Sequence, residues 1–286
     1  LTDCKGGKTE YGQITHGTNT GTGKKYTGRG VCVYGTFNMY GGEITGNTAS
    51  DGGGVSLNSS SSEFTMTGGT ISKNEATGQG GGVSMVGKFT MSGGSITNNK
   101  AGSLGGGVKV TGGTFTVSGG TITNNETARD GGGVYMGGDK FTVSGAANIT
   151  GNKKGTDNNN VYLLDNKPIT IDGTLDNGAS IGVTTEKEPA AGGSVIATGT
   201  GLTAGDAAKF KSDLDGYAVS AKSDGTGLVL VKAHTHYLCG GDESTDQAAT
   251  FTAWTDSTKL PETKGEYYLD TDVTLNSTWI PADGTV

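Results

Sequence analysis

The residues best suited to chemistry are few and scattered. His234, His236 and Cys239 are soft enough to bind zinc, given a fourth ligand from elsewhere, but no second spaced pair accompanies them. Their spacing reads better as a solvated linker. Asp51, Asp130, Asp139 and Asp157 are candidates for acid–base or calcium chemistry, which requires carboxylates on one surface. Their sequence contexts place them in turns of different repeats, and Glu43 alone falls on a coil strand. Glycine blocks such as Gly80–Gly81–Gly82 can imitate phosphate loops. None is followed by Lys-Ser/Thr, so they read as coil corners. The run Leu260–Pro261–Glu262–Thr263–Lys264 imitates a sortase signal but has Lys where Gly is needed. On these grounds no catalytic residue, metal ligand or cofactor is assigned, and the binding residues stay open.

Hydroxyl side chains are abundant and regularly spaced. Thr65/Thr67, Thr90/Ser92, Thr116/Ser118 and Thr142/Ser144 alternate with apolar residues, as do Thr70/Ser72, Ser95/Thr97 and Thr121/Thr123. Flat hydroxyl arrays are what ice-binding solenoids use, whereas Thr also simply suits an exposed pleated surface. Tyr40 and Lys109 are departures that roughen the array.

Those side chains must be positioned by a repeat. A Gly-Gly-Gly-Val block ends at Val55, Val83, Val108 and Val134, and Gly-Arg-Gly-Val ends at Val31. Each Val is followed by a Phe (37, 64, 89, 115, 141) and then an Ile (44, 71, 96, 122, 149). Phe to Ile spans 7, 7, 7, 7 and 8 residues, and Ile to the next Val spans 11, 12, 12, 12 and 12. Insertions therefore collect between Val and Phe. Asn follows every Ile by three, at Asn47, Asn74, Asn99, Asn125 and Asn152, which predicts a stacked amide ladder or a left-handed turn residue.

Alternation of two residues within each run predicts strands. Three strands and three bends per repeat of about 25 residues predict an all-β, right-handed parallel β-helix, a three-sided β-solenoid. Composition agrees. Gly supplies 55 of 286 residues and only 31% are hydrophobic, too few for an ordinary globular core but enough for a narrow apolar column. We expect this fold over 1–232, with degenerate coils and a cap from about 161 and a short helix over 204–214. A linker over 233–250 and the partial start of a following module over 251–286 complete the expected organisation.

The net charge is −7, from 21 Lys and Arg against 28 Asp and Glu, which argues against a nucleic-acid footprint or a polybasic lipid contact. No apolar run reaches the length of a membrane span. Cys4, Cys32 and Cys239 form no disulfide framework, although Cys4 and Cys32 could face each other on adjacent coils. The chain reads as a fragment of a longer protein.

With Phe-Thr-Met-Thr-Gly-Gly-Thr-Ile (64–71), the Asn that follows and Gly-Gly-Gly-Val in view, the chain resembles the Gly-rich right-handed β-helix repeat proteins on the surfaces of gut Firmicutes. It distantly resembles the Gly-Gly-apolar repeats of chlamydial polymorphic membrane proteins as well. His234-Thr-His236-Tyr-Leu-Cys239-Gly-Gly, Phe251-Thr-Ala-Trp254 and Tyr267-Tyr-Leu269 resemble the opening of a further such module. In that family the position of Tyr237 is often Cys, so this chain departs from it there. The resemblance implies an extracellular, cell-surface location on a Gram-positive bacterium, tandem modules in one parent chain, and adhesion to a host glycan or surface protein. It supplies no catalytic residues. A polysaccharide lyase or hydrolase on the same fold is the alternative.

Overall fold

A computed structural model describes residues 13–14, 30–190, 193–222, 224–233, 252–254 and 267–269. The chain divides into two compact units, Leu1–Lys232 and Ala233–Val286. In the second, the strands Thr252–Trp254 and Tyr267–Leu269 pair in parallel.

The first unit is a three-sided parallel β-solenoid of about seven coils. Each coil opens with a Val strand (Val55–Leu57, Val83–Met85, Val108–Val110), continues with a Phe strand (Glu63–Met66, Lys88–Met91, Thr114–Val117) and then an Ile strand (Thr70–Ser72, Ser95–Thr97, Thr121–Thr123). Every strand pairs with its own kind in the next coil, so Phe64, Phe89 and Phe115 are Cα partners, as are Ile71, Ile96 and Ile122. The three-strand expectation omits a fourth, two-residue strand just after each Asn: Glu75–Ala76, Lys100–Ala101, Glu126–Thr127. Two residues are too few for alternation to register in the sequence. Glu43 is thus not alone on a strand: Glu75 and Glu126 open two of these short strands, and Glu63 opens a Phe strand that begins one residue before its Phe.

The apolar column is built from like on like. Phe64, Phe89, Phe115 and Phe141 are buried, and with Phe37 their rings stack at 5.0, 4.4, 4.9 and 5.2 Å between centroids. Each such contact adds about 0.5–1.5 kcal/mol beyond the area it buries. Ile44, Ile71, Ile96, Ile122 and Ile149 form a second buried line, and Val55, Val83, Val108, Val134 and Val161 a third.

The Asn column is the polar counterpart, and the ladder expectation holds. The Nδ2 of Asn47 donates to Oδ1 of Asn74 at 2.9 Å, and the pattern repeats from Asn74 to Asn99, Asn125, Asn152 and Asn160 at 2.9–3.0 Å. Nδ2 of Asn99 also donates to the Ile71 carbonyl at 2.9 Å, and the Asn99 backbone N–H donates to Asn125 Oδ1 at 3.0 Å. A fully satisfied buried amide rigidifies its surroundings, its hydrogen bonds offsetting the cost of desolvation. The left-handed turn falls one residue earlier than the alternative reading of Asn required, at Gly46, Lys73, Asn98, Asn124 and Gly151, with φ between 53° and 68°. The last Gly of each block packs against this column. A Cβ on Gly82 would lie 2.6 Å from the Gly107 carbonyl oxygen and 3.1 Å from Asn99 Nδ2.

The coil changes after Val161. A continuous strand, Ser180–Thr185, replaces the corner between Ile and Val strands: Ile181 pairs with Ile149, and Val183 with Val161. The two-residue side and its Asn vanish together. Beyond it the Phe sheet ends in antiparallel strands, Ser194–Thr198 against Gly227–Lys232 against Tyr217–Ala221. The expected helix over 204–214 is shorter, a 3-10 turn at Ala204–Lys209, followed by a strand, Phe210–Ser212. Asp206 holds the turn by accepting from the Thr203 N–H and hydroxyl at 2.7 and 2.9 Å, while buried Phe210 pairs with Ile181 and draws the chain into the sheet.

Candidate functional site

The middle residue of each Val strand points outward. In order along the solenoid these are Cys32, Ser56, Ser84, Lys109, Tyr135, Tyr162 and Thr184. Lys109 therefore lies on this face and not on the hydroxyl faces it was expected to interrupt. It is 6% exposed; its Nζ sits 4.3 Å above the Tyr135 ring and donates to the Val110 carbonyl at 3.3 Å. Burial lowers its pKa to about 8. The Tyr135 and Tyr162 rings stack at 5.5 Å and 12°. Burial, then Asp130 and Glu186, push the Tyr162 hydroxyl up to about 12. The next rung is Thr184, so the ring stack stops at Tyr162.

Beside Tyr162 lies an open groove of about 610 Å³. Its lining includes Asn159 and Thr184, and one wall is an antiparallel ribbon, Lys153–Lys154 with Asp157–Asn158, turning at Gly155 (φ 59°). The opposite wall is Thr185, Glu186 and Leu214–Asp215 with Asp213. Lys154 is bound to Asp130 at 2.9 Å and Lys153 to Asn158 Oδ1 at 2.7 Å.

Asp213 terminates the Asn ladder. Its Oδ1 accepts from Asn160 Nδ2 at 2.7 Å, and its Oδ2 from the Asn160 N–H at 2.6 Å and the Thr184 hydroxyl at 3.3 Å. Every ladder amide donates towards this end, so the aligned dipoles present their positive end to the carboxylate. Burial nonetheless raises the Asp213 pKa against these hydrogen bonds.

Of the residues singled out from sequence, the fold brings only Asp130 and Asp157 together here. Asp157 stands on the short ribbon, not in a turn, because the segment after Asn152 folds back on itself at Gly155. Asp51 accepts from the Gln79 N–H at 2.9 Å and Asp139 from the Gly113 N–H at 3.0 Å, both as turn braces on other coils. Cys32 is an exposed thiol that receives Asn58 Nδ2 at 2.8 Å. Cys4, His234, His236, Cys239 and the 260–264 run lie outside the described residues. The hydroxyl columns occupy the Phe and Ile faces, with Ser72 bonded to Thr45 and Thr121 to Ser95 at 3.2 Å, while Thr142 is buried. Among the described residues no three His, Cys, Asp or Glu side chains meet as a metal site.

Sequence reasoning passed over Tyr135, Tyr162, Glu186 and Asp213. The tyrosines had a signal, the paired Val-Tyr-Met and Val-Tyr-Leu runs at 134–136 and 161–163. Asp213 had none, since its partner Asn160 is 53 residues away. Comparison of the chain with protein-family profiles, with curated proteins and with solved structures returned no match.

Proposed function

We propose that this chain is an extracellular, cell-surface scaffold or adhesin module that binds a glycan through the groove beside Tyr162, without catalysing its breakdown. The supporting observation is that groove. It sets an aromatic ring beside carboxylates, amides and hydroxyls on a rigid solenoid flank, a mixed lining suited to a sugar's apolar face and hydroxyl rim. A surface protein of the host or of another microbe is the next partner in line, and neighbouring modules of the parent chain would space the groove from the cell.

One observation favours a carbohydrate-active enzyme instead: Asp130, Asp157, Glu186 and Asp215 share the groove with Asp213, whose pKa is raised. Against it, both Asp213 oxygens are occupied by the ladder's end and Thr184. A glycan-array and mucin-binding screen beside a reducing-end release assay separates the two. Saturable binding lost in Tyr162→Leu, with no release of sugar ends, supports the adhesin reading. Release abolished by Glu186→Gln or Asp130→Asn would replace it with the enzyme.

A further inference from the structure

The groove is concave, bordered by Tyr162 at the end of the ring stack, and unevenly charged. Its lining carries five carboxylates (Asp130, Asp157, Glu186, Asp213, Asp215) and two lysines (Lys153, Lys154), a balance of −3 with all groups ionised. Both lysines are tied to the wall, to Asn158 and Asp130. Among the described residues no salt bridge reaches Asp157, Glu186 or Asp215, and these three are exposed. The stack supplies a separate indication of sign. Its lower end, Tyr135, already carries a cation, the Lys109 ammonium at 4.3 Å. Its upper end, Tyr162, lines the groove and meets only the short Thr184 at the next rung. Carboxylates around an aromatic ring in a concave site focus a negative potential on it, and ring faces attract cations.

From this juxtaposition we infer that the groove selects an oligosaccharide bearing a free amine, seating the ammonium between Tyr162, Glu186 and Asp215. The inference rests on the glycan-binding reading and specifies its ligand. Uronic-acid sugars are excluded by the same charge. An N-acetylated sugar of equal size keeps its hydroxyl rim but loses the ammonium.

Calorimetric titration of the full chain at pH 6 with tetramers of glucosamine, N-acetylglucosamine and galacturonic acid tests this. The expected result is binding of the glucosamine tetramer about tenfold or more tighter than the acetylated one, and none of the galacturonate. Raising salt from about 50 to 500 mM weakens the first selectively. Glu186→Gln with Asp215→Asn, two exposed isosteric changes, erases the preference without unfolding the chain. Thr97→Ala, on the Ile face, leaves it intact. Equal or tighter binding of the acetylated tetramer, or an undiminished preference in the double variant, overturns the inference and leaves the glycan reading standing. No binding of any tetramer, together with a blank glycan array, overturns both.

Discussion

Replacing Lys109 by Met should stabilise the solenoid at neutral pH, and the gain should fade in alkali. Lys109 is a nearly buried ammonium whose hydrogen bond goes to a neutral carbonyl and whose charge faces a ring. Burial lowers its pKa from 10.5 to about 8. Taken alone, that difference corresponds to about 3 kcal/mol of unfavourable charge burial. Residual solvent at the ammonium screens part of it, and Met forgoes the Val110 bond and the cation–π contact, leaving a gain of about 1–2 kcal/mol. In the wild type the unfolded chain binds more protons than the folded one between pH 8 and 10.5, so wild-type stability rises through that window. The Met variant has no such rise. The difference should therefore be largest below pH 8 and vanish near pH 10.5. Melting curves from pH 6 to 10.5 read this directly, with an upward shift of roughly 2–8 °C at pH 7. A Met variant that melts lower than wild type at pH 7, by an amount that does not change with pH, would refute the reasoning.

Asn99→Ala should cost about 2–6 kcal/mol, because it orphans the Asn74 N–H and the Ile71 carbonyl at about 1–3 kcal/mol each, while Asn74 Nδ2 keeps its bond to the Ile44 carbonyl; denaturant unfolding measures it, and a loss under 1 kcal/mol would make the ladder ornamental. Phe89→Ala, in mid-stack, should cost about 3–5 kcal/mol, and Phe89→Leu clearly less, in the same assay. Asp213→Ala should accelerate amide exchange at Asn160 and Asn152 before that of Asn74, since the ladder frays from its released end; uniform protection would contradict the terminator role. At Asp206, burial pushes the pKa up, but Lys209 and Thr203 outweigh it and hold it low. That stability is present above the ordinary aspartate range and lost as pH falls through the lowered value. Asp206→Asn should flatten the acid limb of the stability profile below about pH 4, and an unchanged limb would exclude it.

Sequence by itself determined the coil. Residues repeating at fixed distance must stack like on like when a chain winds regularly, so Val, Phe, Ile and Asn each foretold a column, and the Phe and Asn contacts follow. Local signals also located the bends, because Gly at a corner answers a close approach to the next coil, as at Gly82 and Gly107. What the spacing left open was whatever breaks the period. The two-residue strand after each Asn is too short to alternate. The ribbon at 153–158 keeps the spacing of the other coils, so only folding shows that it turns back on itself and which wall it builds. Lys109, Tyr135 and Tyr162 are periodic residues whose shared face depends on the register of the Val strands. The end of the ladder at Asp213 depends on a contact spanning 53 residues, across a coil that has lost its Asn corner. Periodicity is a local property and fixes the repeating unit. A site made where the repeat fails is assembled from segments that sequence distance does not relate, and tertiary packing alone brings them together.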